Sequence, residues 1–172
     1  MDDFAIATKD EETAQFIITQ INDKLHLPIH IMGIIKHFNG IDVEQTKHYV
    51  KIHCQKYIDK LIKSHEGLLS VPTSAPHAIL PFPSDKTTLS NIIHGPVPES
   101  EQEQLTLEKK MGFKYGHVMG EVLYPMVKCR PDITAHAIIL SQYMNNPGEI
   151  HYVALKHILT YLAATASEGI HY

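Results

Sequence analysis

The sequence predicts an α+β fold, in which a short β-hairpin region is followed by a mainly helical part. Two short strands are predicted, Phe38 to Val43 and Tyr49 to Cys54, and the polar turn 44–48 joins them. Their apolar residues are Phe38, Ile41 and Val43, then Val50 and Ile52. Beyond them apolar residues recur at helical spacing. Six of the 10 prolines fall within residues 67–98, which predicts an extended connector between the two parts.

The first predicted helix follows Asp10, a good N-cap, and carries Glu11 and Glu12 in its first turn, where negative charge suits the helix dipole. We expect Pro28 to end it. Its predicted apolar face consists of Ala14, Ile17, Ile18, Ile21 and Leu25.

Four later segments also predict helices: 55–65, 115–126, a segment that starts at Pro131 and runs to Tyr143, and a last one. The last should begin with Asn146 as its cap, Pro147 in first position and Glu149 in third. Its predicted apolar stripe is Val153, Leu155, Ile158, Leu159 and Leu162. The helicity of the acidic segment before residue 115 stays open.

Length and composition describe an ordinary globular chain. At 172 residues, 44% hydrophobic and 20% charged, it is long enough to bury a core. No apolar stretch approaches the roughly 18 residues of a membrane span, and the acidic N-terminus lacks the basic flank of a signal peptide. Cys54 and Cys129 show no zinc-knuckle spacing. We therefore expect free or buried thiols in a reducing, intracellular compartment.

The net charge of −4 argues against a chain that binds nucleic acid by charge alone, yet the middle of the chain is locally basic. Three acids, Asp42, Glu44 and Asp59, accompany a group of lysines there. The lysines are Lys36, Lys47, Lys51, Lys56, Lys60 and Lys63. This stretch is either a surface that follows a phosphate backbone or an ordinary solvated face.

Two residue patterns suggest metal binding. The 13 histidines include His48 and His53 beside Cys54, but no three or four ligands converge at zinc spacing. Asp2 and Asp3 precede an apolar run, an arrangement that holds Mg²⁺ in polymerase palms and that also occurs in solvated chain ends.

Three C-terminal segments follow one another in order: Tyr124-Pro-Met-Val-Lys-Cys-Arg-Pro-Asp-Ile133, Leu140-Ser-Gln-Tyr-Met-Asn-Asn-Pro147 and the helix from His151 to Leu162. Together they resemble the end of the reverse transcriptase of copia-type LTR retrotransposons. The first is similar to the family's Thr-Arg-Pro-Asp-Ile segment, with Cys129 for the usual Thr, and the helix has Tyr152 for the usual Trp.

The N-terminal half shares the resemblance. Lys36-His-Phe-Asn-Gly-Ile-Asp-Val43 is similar to the family's Lys-x-Phe-Leu-Gly-Ile-x-Ile, and Lys56-Tyr-Ile-Asp-Lys-Leu61 to the segment after it. Asp2 and Asp3 match the end of the Tyr-x-Asp-Asp motif. By this resemblance they are catalytic ligands of Mg²⁺, or of Mn²⁺ in its place. The primer-grip-like residues are then Phe38, Asn39 and Gly40, with Asn39 where the family has Leu.

The resemblance also implies a division of the chain and a role for one histidine. Residues 1–66 are similar to a palm remnant with the primer-grip-like hairpin and first thumb helix, 67–98 to a Pro-rich connector, and 99–172 to a helical thumb. His30 aligns where many members have Lys, so it is either a proton donor to pyrophosphate or an exposed loop histidine.

The function implied is that of a fragment of an RNA-directed DNA polymerase, a nucleotidyltransferase of a transposable element. Its partners would be an RNA or DNA template-primer duplex and the missing N-terminal polymerase region. That region carries the fingers and a further carboxylate. No membrane partner is expected. We therefore expect the chain alone to be inactive, and by family analogy cytoplasmic. The alternatives are a non-catalytic nucleic-acid or protein binding module derived from the thumb, and an unrelated helical interaction protein.

Overall fold

The structure, a computed structural model, describes residues 5–25, 33–69 and 86–172 and confirms the α+β fold class. The described helices are α1 (Glu11–Leu25), α2 (Gln55–Ser64), α3 (Lys86–His94), α4 (Glu101–Met111), α5 (Tyr115–Lys128), α6 (Thr134–Ser141) and α7 (Glu149–Ala164). The described strands are β1 (His37–Phe38), β2 (Ile41–Gln45), β3 (Val50–His53) and β4 (Ile170–His171). Residues 66–68 and 131–133 form single 3-10 turns.

The chain divides into two compact units, residues 1–36 and residues 37–172. In the first unit α1 begins as predicted, because the Asp10 carboxylate accepts a hydrogen bond from the Thr13 amide at 2.8 Å. Hydrogen bonds from the Thr13 side chain and from its amide lower the pKa of Asp10. The predicted helix end at Pro28 lies outside the described residues. The predicted boundaries at residues 66 and 98 stay a prediction, since most of the connector also lies outside them.

The strands form one antiparallel sheet in the order β1-β2-β3-β4. The prediction of a single strand from Phe38 to Val43 is wrong, because the chain reverses at Asn39 and Gly40, so that Phe38 pairs with Ile41. The second hairpin, β2 to β3, is confirmed, with Gln45 opposite Val50. The sequence did not predict β4, whose Ile170 pairs with Ile52 of β3.

The core of the second unit lies where α2, α5, α6 and α7 pack together. The predicted stripe of α7 is buried except for Val153, which is 55% exposed. Tyr115 and Tyr152 meet edge to face with ring centroids 5.2 Å apart. Other fully buried members include Ile58, Met119, Val122, Ile133, Leu140, Leu155, Ile158 and Leu159. β3 leads directly into α2, so the sheet is attached to this core.

Two predictions for residues 67–143 need correction. The connector, predicted as extended, contains the helix α3. The acidic segment before residue 115, whose helicity the sequence leaves open, is helical. Ser100 accepts a hydrogen bond from the Glu103 amide, and the Glu103 carboxylate accepts one from the Glu99 amide, which stabilises the start of that helix. The helix predicted from Pro131 begins as a 3-10 turn, and α6 itself starts at Thr134.

The last helix begins later than predicted. Gly148, rather than Asn146, is the N-cap of α7. The Asn146 side chain donates to the carbonyl of Pro98 at 3.0 Å, so it is not used to cap the helix. Instead His151 Nδ1 accepts the Gly148 amide at 2.8 Å, while its Nε2 donates to the Ile92 carbonyl at 2.8 Å. A buried neutral histidine therefore joins the start of α7 to α3.

Candidate nucleic-acid interface

The predicted catalytic residues Asp2 and Asp3 and the predicted proton donor His30 lie outside the described residues. Their arrangement therefore stays a prediction. Within residues 5–25, 33–69 and 86–172, no group of three or more His, Cys, Asp or Glu side chains is arranged to hold a metal ion. The zinc alternative thus gains no support from the described histidines. What remains of the predicted site is the hairpin tip and the lysines.

The tip of the first hairpin is a two-residue turn formed by Asn39 and Gly40. Both residues have positive φ, 49° and 78°, as a type I′ turn requires, and Asn-Gly is the dipeptide that favours this turn most. Asn39 is exposed and Phe38 half-buried. Leu tolerates positive φ less well than Asn, so the turn conformation accounts for an Asn rather than a Leu at position 39.

Gly40 is the point at which the hairpin meets the helical core. The hydroxyl of Tyr124, on α5, lies where a Cβ atom of residue 40 would be. The Tyr124 ring in turn packs on the Tyr57 ring of α2, with centroids 4.4 Å apart. The first hairpin, α2 and α5 therefore meet at one point, and this packing fixes the position of the hairpin tip relative to the two helices.

Asp42, two positions after the turn pair, links the hairpin to α2. Its buried carboxylate accepts from Lys56 Nζ at 2.7 Å and contacts His37 Nδ1 at 3.1 Å. Burial by itself would raise the pKa of Asp42, but the hydrogen bonds from Lys56 and His37 outweigh it and the pKa lies below its usual value. The charge of Lys56 is consequently engaged within the protein.

Three of the other predicted lysines are exposed in the second unit. Lys47 lies in the turn between β2 and β3, and Lys60 and Lys63 lie on the solvent side of α2. None of the three forms an ion pair with another residue in the described part of the chain. Ile58 and Leu61 hold the opposite face of α2 in the core. Lys60 and Lys63 are thus presented to solvent from a fixed helix.

Contacts with α5 at both ends of α2, through Tyr57 and His65, also fix the orientation of α2. His65 Nε2 lies 2.6 Å from a carboxylate oxygen of Glu121 on α5, and the Tyr57 hydroxyl donates to the Glu121 carbonyl at 3.0 Å. His117 Nε2 lies 3.7 Å from the other oxygen of the same carboxylate. These contacts fix α2, and with it the exposed Lys60 and Lys63, in position relative to the hairpin tip.

The Arg-Pro-Asp-Ile segment supports the fold, and it also lines a cavity together with Tyr161 and Thr165. The Arg130 side chain is only 1% exposed, and its Nη2 donates to Asp132 Oδ2 at 2.7 Å while Nη1 donates to the Thr165 carbonyl at 2.9 Å. Tyr161 donates to Asp132 Oδ2 at 2.8 Å. Burial opposes ionisation, but the bonds from Arg130 and Tyr161 hold the pKa of Asp132 below its usual value. The segment clamps the end of α7.

Sequence reasoning missed Tyr124 and Asp42, which position the hairpin. Nothing in the local pattern around Tyr124 signals its contact with Gly40. The Asn39-Gly40 dipeptide did carry a signal for the turn, because it is the strongest short-range indicator of a two-residue hairpin. This dipeptide therefore indicates the turn from the sequence.

Comparison with known proteins gives several relatives that are retrovirus-related Pol polyproteins from plant transposons. The chain is 30% identical over 126 residues to the Pol polyprotein from transposon TNT 1-94 of Nicotiana tabacum, which covers 73% of this chain and 8% of the polyprotein. It is 25% identical over 170 residues to the Pol polyprotein from transposon RE2 of Arabidopsis thaliana, and this alignment covers 99% of this chain and 10% of the polyprotein. The chain thus spans a tenth or less of these relatives.

A further relative is of another kind. Secreted RxLR effector protein 161 of Plasmopara viticola is 38% identical over 58 residues, which is 34% of this chain and 41% of the effector. No protein-family model matches the chain. No solved structure matches it. None of the described helices is long and apolar enough to cross a membrane.

Proposed function

We propose that this chain is the C-terminal palm and thumb portion of the reverse transcriptase in a copia-type retrotransposon Pol polyprotein. The observation that carries the proposal is the similarity to transposon Pol polyproteins along nearly the whole chain, up to 99% of it. The geometry of the hairpin adds support. A rigid two-residue turn, attached to α5 at Gly40, is suited to holding a nucleic-acid end in a fixed place.

In this proposal Phe38, Asn39 and Gly40 form the primer grip, and the exposed lysines of α2 contact the duplex backbone. Asp2 and Asp3 are the carboxylates that bind Mg²⁺, or Mn²⁺, since hard oxygen ligands suit these ions. The bound ions supply the charge stabilisation of two-metal nucleotide transfer. His30 donates a proton to the departing pyrophosphate.

We expect the 172 residues by themselves to be inactive, because nucleotide transfer of this kind needs a further carboxylate and the fingers. A primer-extension assay on the purified chain with Mg²⁺ or Mn²⁺ should show no incorporation. Template-directed incorporation by the isolated chain that is lost in the Asp2→Asn, Asp3→Asn double variant would contradict this expectation.

The assignment itself is tested by a chimera. The aligned segment of the Nicotiana tabacum Pol polyprotein is replaced by this chain, and primer extension is measured. We expect activity in the chimera and its loss with Asp2→Asn or Asp3→Asn. Activity that survives both substitutions would remove these residues from the catalytic site. In the same chimera, an unchanged pH–rate profile for His30→Gln would exclude His30 as the proton donor.

A second candidate function is a non-catalytic binding module derived from the thumb. It is favoured by Lys47, Lys60 and Lys63, which stand exposed without ion-pair partners among the described residues. In a salt titration of duplex binding, Lys60→Gln with Lys63→Gln should reduce the slope of log K against log salt by about 2. The matched control is Lys109→Gln with Lys114→Gln, which removes the same charge and should not change the slope. Equal slopes in both double variants would exclude the α2 face.

A further inference from the structure

The only two cysteines of the sequence meet in the core of the second unit. Cys54 and Cys129 are separated by 75 positions, yet their Sγ atoms lie 2.6 Å apart and share a hydrogen bond. Cys54 is 0% exposed and Cys129 1%. Cys54 is the N-cap residue of α2, directly after β3, and Cys129 is the C-cap residue of α5.

We propose that Cys54 and Cys129 are a site of reversible oxidation, at which a peroxide converts the two thiols into an intrachain disulfide. A disulfide bond of about 2.05 Å requires the two sulfur atoms to approach by roughly half an ångström from their present separation. Both residues sit at helix ends rather than within helices. The Cys54 carbonyl accepts the Ile58 amide and the Cys129 amide donates to the Pro125 carbonyl, so each residue is tied to its helix on one side only and can adjust through the adjoining loop.

The two thiols are chemically unequal, which assigns them different roles. The hydrogen bond between the two sulfur atoms, aided by the positive charge of the adjacent Arg130, lowers the pKa of Cys129 against the opposing effect of burial. The same hydrogen bond, together with burial, raises the pKa of Cys54. Cys129 is thus the sulfur that ionises first and attacks the oxidant, because the thiolate is the reactive form.

The reaction balances in two steps. The Cys129 thiolate attacks one oxygen of hydrogen peroxide, the O–O bond breaks, and a sulfenic acid and hydroxide form. The Cys54 sulfur then attacks the Cys129 sulfur, the S–O bond breaks, and the Cys54 proton leaves with the departing oxygen as water. The two thiols lose two electrons to the peroxide. A dithiol reductant reverses the change by thiol–disulfide exchange.

The buried position selects the oxidant and predicts a physical consequence. Cys129 lines a cavity together with Arg130 and Asp132, and we expect the small hydrogen peroxide molecule, but not a bulky disulfide, to reach the sulfur pair from this cavity. The bond would close a loop from residue 54 to residue 129 and tie the β3–α2 junction to the end of α5. Because a cross-link across a long loop restricts the unfolded chain, we expect the Tm to rise by about 5–10 °C on oxidation.

The test treats the full chain with hydrogen peroxide and counts thiols by mass. We expect a monomer that is lighter by two hydrogen atoms, a linked peptide pair containing Cys54 and Cys129, a higher Tm, and full reversal by dithiothreitol. Thiols that stay free in the folded chain, disulfide-linked dimers, or sulfinic acid without a linked peptide would overturn the proposal. These outcomes are read on the parent chain and do not depend on polymerase or duplex binding.

Single variants test the order of the two steps. In Cys54→Ser the resolving sulfur is absent, so dimedone should trap a sulfenic acid at Cys129, whereas the parent chain should give little adduct. Cys129→Ser should leave Cys54 far less reactive towards peroxide. Equal dimedone labelling of the parent and Cys54→Ser would overturn the assignment. Cys54→Ala serves where the serine variant does not fold.

Discussion

The hydroxyl of Tyr124 fills the space in which a Cβ atom of residue 40 would stand, so Gly40 is required both by its neighbour and by its own backbone. Its φ of 78° is unfavourable for other residues, and its hydrogen is all that fits beneath the tyrosine. This contact connects the tip of the first hairpin to α5 and sets the geometry of the candidate interface.

The first prediction separates the two demands on Gly40. Gly40→Ala should lower the free energy of unfolding by about 3 kcal/mol, measured by urea denaturation, because it adds a clash to the cost of positive φ. Gly112→Ala is the matched control, since its φ is 83° and nothing lies within 4 Å of the added Cβ, so it should cost only about 1 kcal/mol.

A double variant completes this test. Tyr124→Phe removes the hydroxyl oxygen and should recover about 1–2 kcal/mol in the Gly40→Ala background, the part due to the clash. Equal losses in Gly40→Ala and Gly112→Ala, or no recovery with Tyr124→Phe, would show that the Tyr124 contact does not constrain the turn.

The second prediction concerns the exposed turn residue Asn39. Asn39→Leu, which restores the residue of the resembled family, should lower the free energy of unfolding by about 1 kcal/mol, because φ of 49° is costly for Leu. Asn39→Asp is the control, since Asp also tolerates this conformation, and should be close to neutral. Chemical denaturation measures both. A stabilising Asn39→Leu would mean that the turn changes its conformation to accept the larger residue.

The third prediction tests the clamp between Arg130 and Asp132. Asp132→Asn leaves the buried guanidinium without its carboxylate and, because the Asp132 side chain is 36% exposed and so partly screened, should cost about 1–2 kcal/mol at pH 7. Because the folded pKa of Asp132 is lowered, its stabilising contribution is complete above the unfolded pKa near 3.9 and is lost as the pH falls through the folded pKa. The Tm difference between parent and variant should therefore narrow below about pH 4. A difference that is constant with pH would exclude this ion pair as its source.

The fourth prediction concerns the buried histidine at the start of α7. Burial lowers the pKa of His151. The neutral form is thus favoured in the folded chain, and its contribution is complete above the unfolded pKa near 6.5 and is lost as the pH falls through the folded pKa. His151→Gln should therefore lower the Tm at pH 7.5 and lose less additional stability than the parent between pH 7.5 and 5.

The matched control for that comparison is His48→Gln, which removes an exposed histidine. Differential scanning calorimetry of the three proteins across the pH range gives the difference directly. If His151→Gln follows the parent's pH dependence with a constant offset, the titration of His151 does not contribute to acid destabilisation.

By itself the sequence determined the elements that depend on local chemistry. Asp10 caps α1, β3 leads into α2, and the buried faces of α2, α5 and α7 follow from apolar residues at helical spacing. The ordered motifs indicated a relation to retrotransposon proteins, and the comparisons support a relation to transposon Pol polyproteins. The sequence analysis placed Phe38, Asn39 and Gly40 in a strand, whereas Asn39 and Gly40 form a turn, and the primer-grip role of these residues stays a prediction.

Only the tertiary structure decided which distant residues meet. Ile170 pairs with Ile52, Tyr124 reaches Gly40, Arg130 holds Thr165, and Cys54 contacts Cys129. Local propensity and periodicity describe neighbours along the chain, and they are silent about pairs separated by many residues. Such pairs form only when the packed core brings their elements together, and for that reason neither the support of the hairpin tip nor the cysteine pair could be read from the residues alone.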